Sequence, residues 1–270
     1  MITPIVHRYD EVGSTNDIAL EMARSGAPEG TVILARSQTK GRGRRGRAWF
    51  ARPGESILMS VILRPDIPVS RYSQLAFPAA VAIAESLREQ CGLIPALKWP
   101  NDVLVNERKI AGILVETAPG AAVVGIGLNV KQTEFPPELA NTATSIVLEG
   151  GSYADIEEGL TSSRVPTPPA LSSEERAYRR ALHRQTLADA ILDRLFAVYA
   201  LGFEEILNLW RKYMWGLGRS VEIVTEEERI PGTIAGIDSD GALLIEQNGK
   251  VRRVLAADAI HTTRAGGTIS

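Results

Sequence analysis

The chain has one cysteine, Cys91, in 270 residues. A single thiol excludes an internal disulfide framework and a cysteine-rich metal site. Cys91 ends a helical stretch beside Gly92 with no histidine near it in sequence, so it reads as a packed thiol and not a nucleophile. Histidine is almost as scarce: His7, His183 and His261 lie far apart and offer no zinc spacing. The net charge of -2 lacks the basic excess of a dedicated nucleic-acid binder. No apolar run is long enough to cross a bilayer, and Met1-Ile2-Thr3-Pro4 lacks the layout of a signal peptide. The expected location is therefore the cytoplasm. An apolar fraction of 44% and a charged fraction of 23% are those of an ordinary globular protein, with room for one large domain or one large and one small.

Against this neutral background one stretch stands out. Gly41-Arg42-Gly43-Arg44-Arg45-Gly46-Arg47 packs four arginines and three glycines into seven residues. Glycine admits positive φ and close approach of a ligand to the main chain. Arginine presents a forked, permanently charged donor suited to phosphate and carboxylate. Together they predict a loop that wraps an anion; a solvated basic turn or a nucleic-acid patch is the other reading. So dense a run of like charge repels itself, which predicts a loop that is mobile until a ligand neutralises it.

The surrounding chain supplies candidate partners. Ser14-Thr15-Asn16-Asp17 opens a helix with capping-box spacing, Ser14 to Asp17, and Gly26 fits its end. Hydroxyls beside free helix N–H groups also suit a polar ligand. Buried strands are expected at 31–35 and 56–63, with Trp49-Phe50 between them, either stacking on a base or covering the core. A helix is expected from Pro78 to Glu89. A strand approaches Pro100, breaks at Asn101-Asp102, and resumes at Val103. Strands then follow at 109–116 and 121–130. If the strands around Asn106-Glu107-Arg108 form a hairpin, Lys109 faces the region of Asn101. Gly125 and Gly127 leave space where a ligand can press on the backbone. Residues 150–180, rich in proline, serine and charge, read as a surface insertion. Thr186 caps a further helix, and another runs from Phe203 to Tyr213. From Arg219 onward, short strands joined by turns at Asp238-Ser239-Asp240-Gly241 and Asn248-Gly249 predict a small antiparallel barrel.

Four stretches together resemble the biotin protein ligases, also called biotin–[acetyl-CoA-carboxylase] ligases. They are residues 41–47 with Trp49, Lys98-Trp99-Pro100-Asn101-Asp102, Lys109-Ile110-Ala111-Gly112-Ile113-Leu114-Val115-Glu116, and Gly125-Ile126-Gly127-Leu128-Asn129. The resemblance implies an α+β fold: a mixed β-sheet flanked by helices, related to class II tRNA-synthetase cores, over residues 1–216. It also implies an SH3-like C-terminal barrel over 217–270. Some family members carry an N-terminal winged helix-turn-helix. Here the first helix opens within twenty residues of Met1, which points to the short form and to no specific DNA binding.

The resemblance further implies the chemistry. Biotin and ATP give biotinyl-5′-AMP, and a lysine of a biotin carboxyl carrier domain then takes the biotinyl group. ATP, biotin and Mg2+ are the implied ligands, and a homodimer is compatible with the sequence. Ser14, Thr15, Asn16 and Gln38 are expected on the ureido ring of biotin. Gly41, Arg42, Gly43, Arg44 and Gly112 belong to the biotin side, and Arg45, Gly46, Arg47, Trp49, Asn101 and Asn129 to ATP. Lys109 is the central charge between carboxylate and α-phosphate, and Arg44 assists it. Asp102 either holds magnesium or orients the acceptor lysine. A lipoate–protein ligase shares the catalytic fold, but lipoate has no ureido ring for Ser14, Thr15 and Gln38. A nucleic-acid-binding module leaves Asn101, Asp102 and Lys109 unexplained.

Overall fold

Runs of β-branched and aliphatic residues build the first half of the chain into one sheet. The computed structural model describes residues 2–151, 186–225, 227–257 and 259–262. The insertion expected at 150–180 lies outside the described residues except for Gly150 and Gly151. Strand β1 (Ile5–Val12) runs parallel to β2 (Thr31–Gln38), with α1 (Thr15–Arg24) as the crossover. Strands β3 (Ser56–Leu63), β4 (Pro95–Lys98), β5 (Asp102–Val105), β6 (Arg108–Ala118) and β7 (Ala121–Asn129) pair antiparallel. The result is a seven-stranded mixed sheet in the order β1-β2-β3-β7-β6-β5-β4.

Alternation along each strand assigns its two faces. Met59, Val61 and Leu63 of β3 and Val124, Ile126 and Leu128 of β7 enter the main core. That core is closed by α2 (Ala76–Cys91), α3 (Leu187–Tyr199) and α4 (Phe203–Arg211). Helix α2 is buried on nearly every side, and its alanines at 76, 79, 80, 82 and 84 let its neighbours approach closely. Cys91 ends it as a buried thiol, which burial pushes up to about 11. On the opposite face, α1 covers Ile33, Ile62 and Val123. Beyond the start of α1 that face carries Leu58, Ser60, Gly125 and Gly127. The sheet there is flanked by helices on one side and open on the other.

Two expectations are corrected here, and one strand is added. Ser14 is the N-cap of α1, but its side chain makes no capping bond; Asp17 turns away to Arg42 at 2.6 Å. The capping box gives way to an ion pair with the basic loop. The break at Asn101-Asp102 is a hairpin between two separate strands, β4 and β5, with Lys98 opposite Asp102. The edge strand β1 has no counterpart in the sequence reading, because its outward polar residues interrupt the apolar pattern.

The C-terminal part forms a five-stranded antiparallel sheet. It contains β8 (Ser220–Val224), β9 (Arg229–Ile237), β10 (Leu243–Gln247), β11 (Lys250–Val254) and β12 (Ala259–Thr262). Its order among the described residues is β11-β10-β9-β8-β12, a linear pairing where a barrel was expected. Asn248 and Gly249 both take positive φ in the two-residue turn of β10–β11, as a tight hairpin requires. The sheet is joined to the larger unit by polar contacts. The indole Nε1 of buried Trp99 donates to the Gly241 carbonyl at 2.9 Å. Gly241 lies against Phe77 and Phe203, where a Cβ would meet Phe77 at 3.1 Å. Among the described residues no helix is long and apolar enough to cross a membrane.

Trp99→Phe keeps most of the packed ring but leaves the Gly241 carbonyl without its donor. The expected cost is about 1–3 kcal/mol, read as a lower midpoint with an unchanged slope in urea unfolding. An unchanged midpoint would show that the seam does not depend on this bond.

Candidate active site

The open face of the large sheet becomes the floor of a cavity of about 630 Å³. Directly opposed residues share a face, and one row crosses five strands: Leu58, Gly127, Gly112, Asp102 and Lys98. Lys109 joins this face through an irregularity. Pairing of β5 with β6 shifts register between Val103 and Leu104, so that Leu104 lies opposite Lys109. One extra residue reverses the alternation. Ile110 and Ala111 both enter the core, and the Lys109 side chain comes to the side of Gly112. A Cβ at Gly112 would meet its Cε at 3.0 Å.

The glycines are needed because side chains lie flat on the floor. A Cβ at Gly127 would stand 2.5 Å from the Trp49 ring, and one at Gly125 would stand 2.2 Å from the Asn16 carboxamide oxygen. The space expected for a ligand over these two glycines is therefore filled by Trp49 and Asn16. Phe50 lies aside against Phe135, the rings tilted with centres 6.5 Å apart.

At one end of the cavity the groups are uncharged. The N–H and hydroxyl of Thr15 both approach Gln38 Oε1, at 2.7 and 2.9 Å. The hydroxyl of Ser60 lies 2.5 Å from Asn16 Oδ1 and 2.7 Å from Thr15 Oγ1. Asn16 Oδ1 can only accept, so the Ser60 proton goes to it. Asn16 Nδ2 donates to Glu116 Oε2 at 2.7 Å. Ser14, the N-cap, and Thr15 and Asn16 in the first turn of α1 are all buried.

At the other end the groups are cationic. Five arginine and lysine side chains gather there, Arg44, Arg45, Arg47, Lys98 and Lys109, against two carboxylates, Asp102 and Glu107; a sixth lining cation, Arg42, lies beside the uncharged end, held by Asp17 and Glu116. Lys109 pairs with Asp102 at 2.6 Å and sits 5.6 Å from the Trp49 ring centre. Burial and the charge of Arg45 push the Arg44 guanidinium below its ordinary value; Asp102 opposes this and Arg47 adds to it. Arg44 reaches Asn101 Oδ1 only at 3.4 Å. Burial also lowers Lys98, with Asp102 opposing and Lys109 adding. These directions mark positive charge that an anion would relieve. Two buried polar atoms in the same region have no protein partner, Trp49 Nε1 and Asn129 Oδ1.

Backbone pairing holds the cationic end in place. The N–H of Lys109 donates to Thr142 O at 2.7 Å, and its carbonyl accepts from Thr144 N–H at 2.8 Å. Asn129 Nδ2 donates to Thr144 O at 2.9 Å. Asn101 is pinned by its side-chain donation to Ile113 O at 2.7 Å.

Of the residues expected from sequence, all but Gly41 and Gly46 line this one cavity. Gly41 supports it from behind, where a Cβ would meet both Gln38 Nε2 and the Trp49 carbonyl at 3.0 Å. Gly46 takes φ +71° at the loop's turn. For magnesium, Asp102 offers a carboxylate, but no group of three or more His, Cys, Asp or Glu side chains is present among the described residues. That set fits a cation held mainly by phosphate oxygens and water, not a protein cage. Sequence reasoning gave Lys98 no role and missed Trp215 and the strand β12, whose Ile260, His261 and Thr262 form one wall; it also missed Ser60, which holds Asn16 and Thr15 from beneath the lining. Ser60 carried a signal: it is a hydroxyl inside an otherwise apolar strand.

The sequence matches the Biotin/lipoate A/B protein ligase family over residues 10–132 and the Biotin protein ligase C terminal domain over residues 216–261. It is 35% identical over 257 residues to the bifunctional ligase/repressor BirA of Bacillus subtilis, covering 93% of this chain and 72% of that one. It is 33% identical over 258 residues to the biotin--[acetyl-CoA-carboxylase] ligase of Mycobacterium tuberculosis, covering 93% and 86%. Its fold is similar to that of the biotin protein ligase from Aquifex aeolicus in complex with biotin and ATP. That match has a TM-score of 0.71 and 25% identity, and covers 96% of this chain and 99% of the other. Sequence, fold and the meeting of four motifs in one cavity agree: the chain belongs to the biotin protein ligase family.

Proposed function

We propose that this cavity joins biotin to ATP as biotinyl-5′-AMP and passes the biotinyl group to a lysine of a carboxylase's biotin carboxyl carrier domain. The observation that carries the reading is the polarity of the cavity. An uncharged hydrogen-bonding end at Thr15, Asn16 and Gln38 shares one space with a cationic end at Arg44, Lys98 and Lys109. A ligand with a polar, neutral head and a carboxylate tail matches both ends at once. The ureido ring takes the first end and the carboxylate points to the second, where the triphosphate also lies. Residues 1–216 act as the catalytic unit and 217–270 as the accessory one.

Carboxylate and triphosphate repel, by about 1 kcal/mol per charge pair at 4 Å in water and several times that in a drier site. Arg44, Lys98 and Lys109 offset this with charge already in position. A carboxylate oxygen attacks the α-phosphorus while the bond to pyrophosphate breaks. Lys109 lies where charge grows on the α-phosphate, and Arg44 flanks it. Trp49 and Asn129, each with an unpaired polar atom, face the nucleotide. Magnesium would neutralise phosphate charge, with Asp102 the carboxylate nearest to hold it. In the second half-reaction the acceptor lysine attacks the acyl carbonyl and AMP leaves. Asp102 then orients the incoming lysine, exchanging Lys109 for it, and the proton this ammonium must lose before its nitrogen can attack passes to the Asp102 carboxylate or to the leaving phosphate. No enzyme nucleophile takes part, so catalysis is positioning and electrostatics.

The direct test is mass spectrometry of a carrier domain incubated with the protein, ATP and either biotin or lipoate. A mass increase of one biotinyl group with biotin alone is expected; modification by lipoate alone would move the protein to the other branch of its family.

Lys109→Ala should slow adenylation by roughly a hundred- to a thousandfold while biotin binding changes little, because only contacts strengthened in the transition state accelerate a step. Gln38→Ala should do the reverse, weakening biotin binding with little change in rate at saturation. Single-turnover adenylation beside calorimetric biotin titration separates the two. A near wild-type rate for Lys109→Ala at saturating biotin would transfer the central role to Arg44.

Gly127→Ala would place a methyl group against Trp49 and force the ring off the floor. Weaker ATP binding with biotin affinity preserved is expected by calorimetry. Equal loss for both ligands would show that the floor serves the whole cavity and not its nucleotide end.

A further inference from the structure

Glu116, at the far end of β6, lies outside the cavity lining and has no part in the steps above. Its carboxylate nevertheless touches two groups beside the uncharged end, one neutral and one cationic. It accepts from Asn16 Nδ2 at 2.7 Å and from Arg42 Nη2 at 3.1 Å. The same Arg42 Nη2 donates to Asp17 Oδ1 at 2.6 Å. Arg42 opens the basic loop, while Asn16 and Asp17 belong to the first turn of α1. Asn16 is fixed on its other side by Ser60, which lies beside Thr15 and through it reaches Gln38. One carboxylate thus links the start of the loop to the hydrogen-bonded floor.

We propose that Glu116 is a positioning residue for the acyl substrate, holding the Asn16 amide and the Arg42 guanidinium together so that the loop and the polar floor are ordered as one unit. This rests on the reading of the uncharged end as the biotin site. The loop's self-repulsion is offset at its first arginine, by Asp17 and Glu116, while Arg44 keeps its charge for the reacting end. The amide of Asn16 is also oriented: Nδ2 is tied to Glu116 and Oδ1 to Ser60, so the carboxamide cannot rotate to present the wrong atom. Preorganisation of this kind changes affinity more than chemistry.

The test is Glu116→Gln, which keeps an acceptor for Asn16 and removes the charge facing Arg42, with Glu116→Asp as the conservative variant. Calorimetric biotin titration, single-turnover adenylation at saturating biotin and ATP, and hydrogen exchange of residues 41–47 are measured on the full chain. Glu116→Gln should weaken biotin binding about tenfold, as for one charge-assisted hydrogen bond. It should speed exchange of the loop without biotin, and leave the saturated rate within about threefold of wild type. Glu116→Asp should recover part of the affinity. If Glu116→Gln does not fold, Asp17→Asn removes the second tether and should loosen the loop with a smaller loss of affinity. Affinity and loop exchange unchanged in the folded variants would overturn the proposal, as would a saturated rate falling as far as affinity. If wild type itself fails to bind biotin, the reading of the site falls, and that outcome is distinct from wild-type binding unaltered by the variants.

Discussion

The site exists because three positions on one face of a β-sheet carry no side chain. Gly112, Gly125 and Gly127 let Trp49, Asn16 and Lys109 lie against main chain that any Cβ would push away. Most sheet faces are covered with aliphatic groups, as this one is under α1, where Ile33, Ile62 and Val123 pack. The change from isoleucine and valine to glycine along the same face marks where packing stops and recognition begins. Glycine inside a strand costs stability through lost packing and chain entropy, and here the cost is offset by the densely packed opposite face.

Charge is arranged on this floor by register. Lys98, Asp102 and Gly112 fall in one row because β4, β5 and β6 pair as they do. Lys109 joins them only because β5 and β6 slip by one residue. Without that shift its ammonium would point into the main core beside Ala111 and Ile113, at a prohibitive desolvation cost. The irregularity is a device for putting a cation on the reacting face of an apolar strand. The C-terminal sheet closes the same region. Lys98 Nζ donates to Ile260 O at 2.8 Å and lies 4.8 Å from the Trp215 ring centre. Trp215 Nε1 in turn donates to Glu107. A second domain that contributes a wall, and not a separate surface, explains why polar bonds and a shared core join the two units.

Much of this was legible in the sequence, and the limits follow from physics. Strands β2, β3 and β7 are buried on both faces and read as continuous apolar runs. The loop at 41–47 declared its chemistry by composition alone. Strand β1 did not, since an edge strand with polar residues facing solvent carries little of the alternation that marks a half-buried one. The hairpin at Asn101 looked like a break because two four-residue strands are shorter than a periodic signal needs. Ser14 and Asp17 had the spacing of a capping box, yet a tertiary ion pair with Arg42 outweighed a local bond. Contacts such as that of Asn16 with Glu116, 100 residues apart, have no local signature.

On the proposed reading of its two ends, the polarity of the cavity also bears on the order in which its ligands are held. A triphosphate alone would meet Arg44, Lys98 and Lys109, and would draw Lys109 away from Asp102. Biotin alone would satisfy the uncharged end and bring one negative charge to the cationic end, relieving part of the mutual repulsion among the arginines. The arginine loop is fixed first at Arg42, by Asp17 and Glu116 beside the uncharged end, and on the proposed reading the remaining arginines lead toward the nucleotide. Filling the uncharged end thus steadies the segment that must next receive phosphate, whereas phosphate at the far end does little for the hydrogen-bonded floor. On the proposed assignment of the two ends, the geometry that separates a neutral end from a charged one would have biotin prepare the site for ATP.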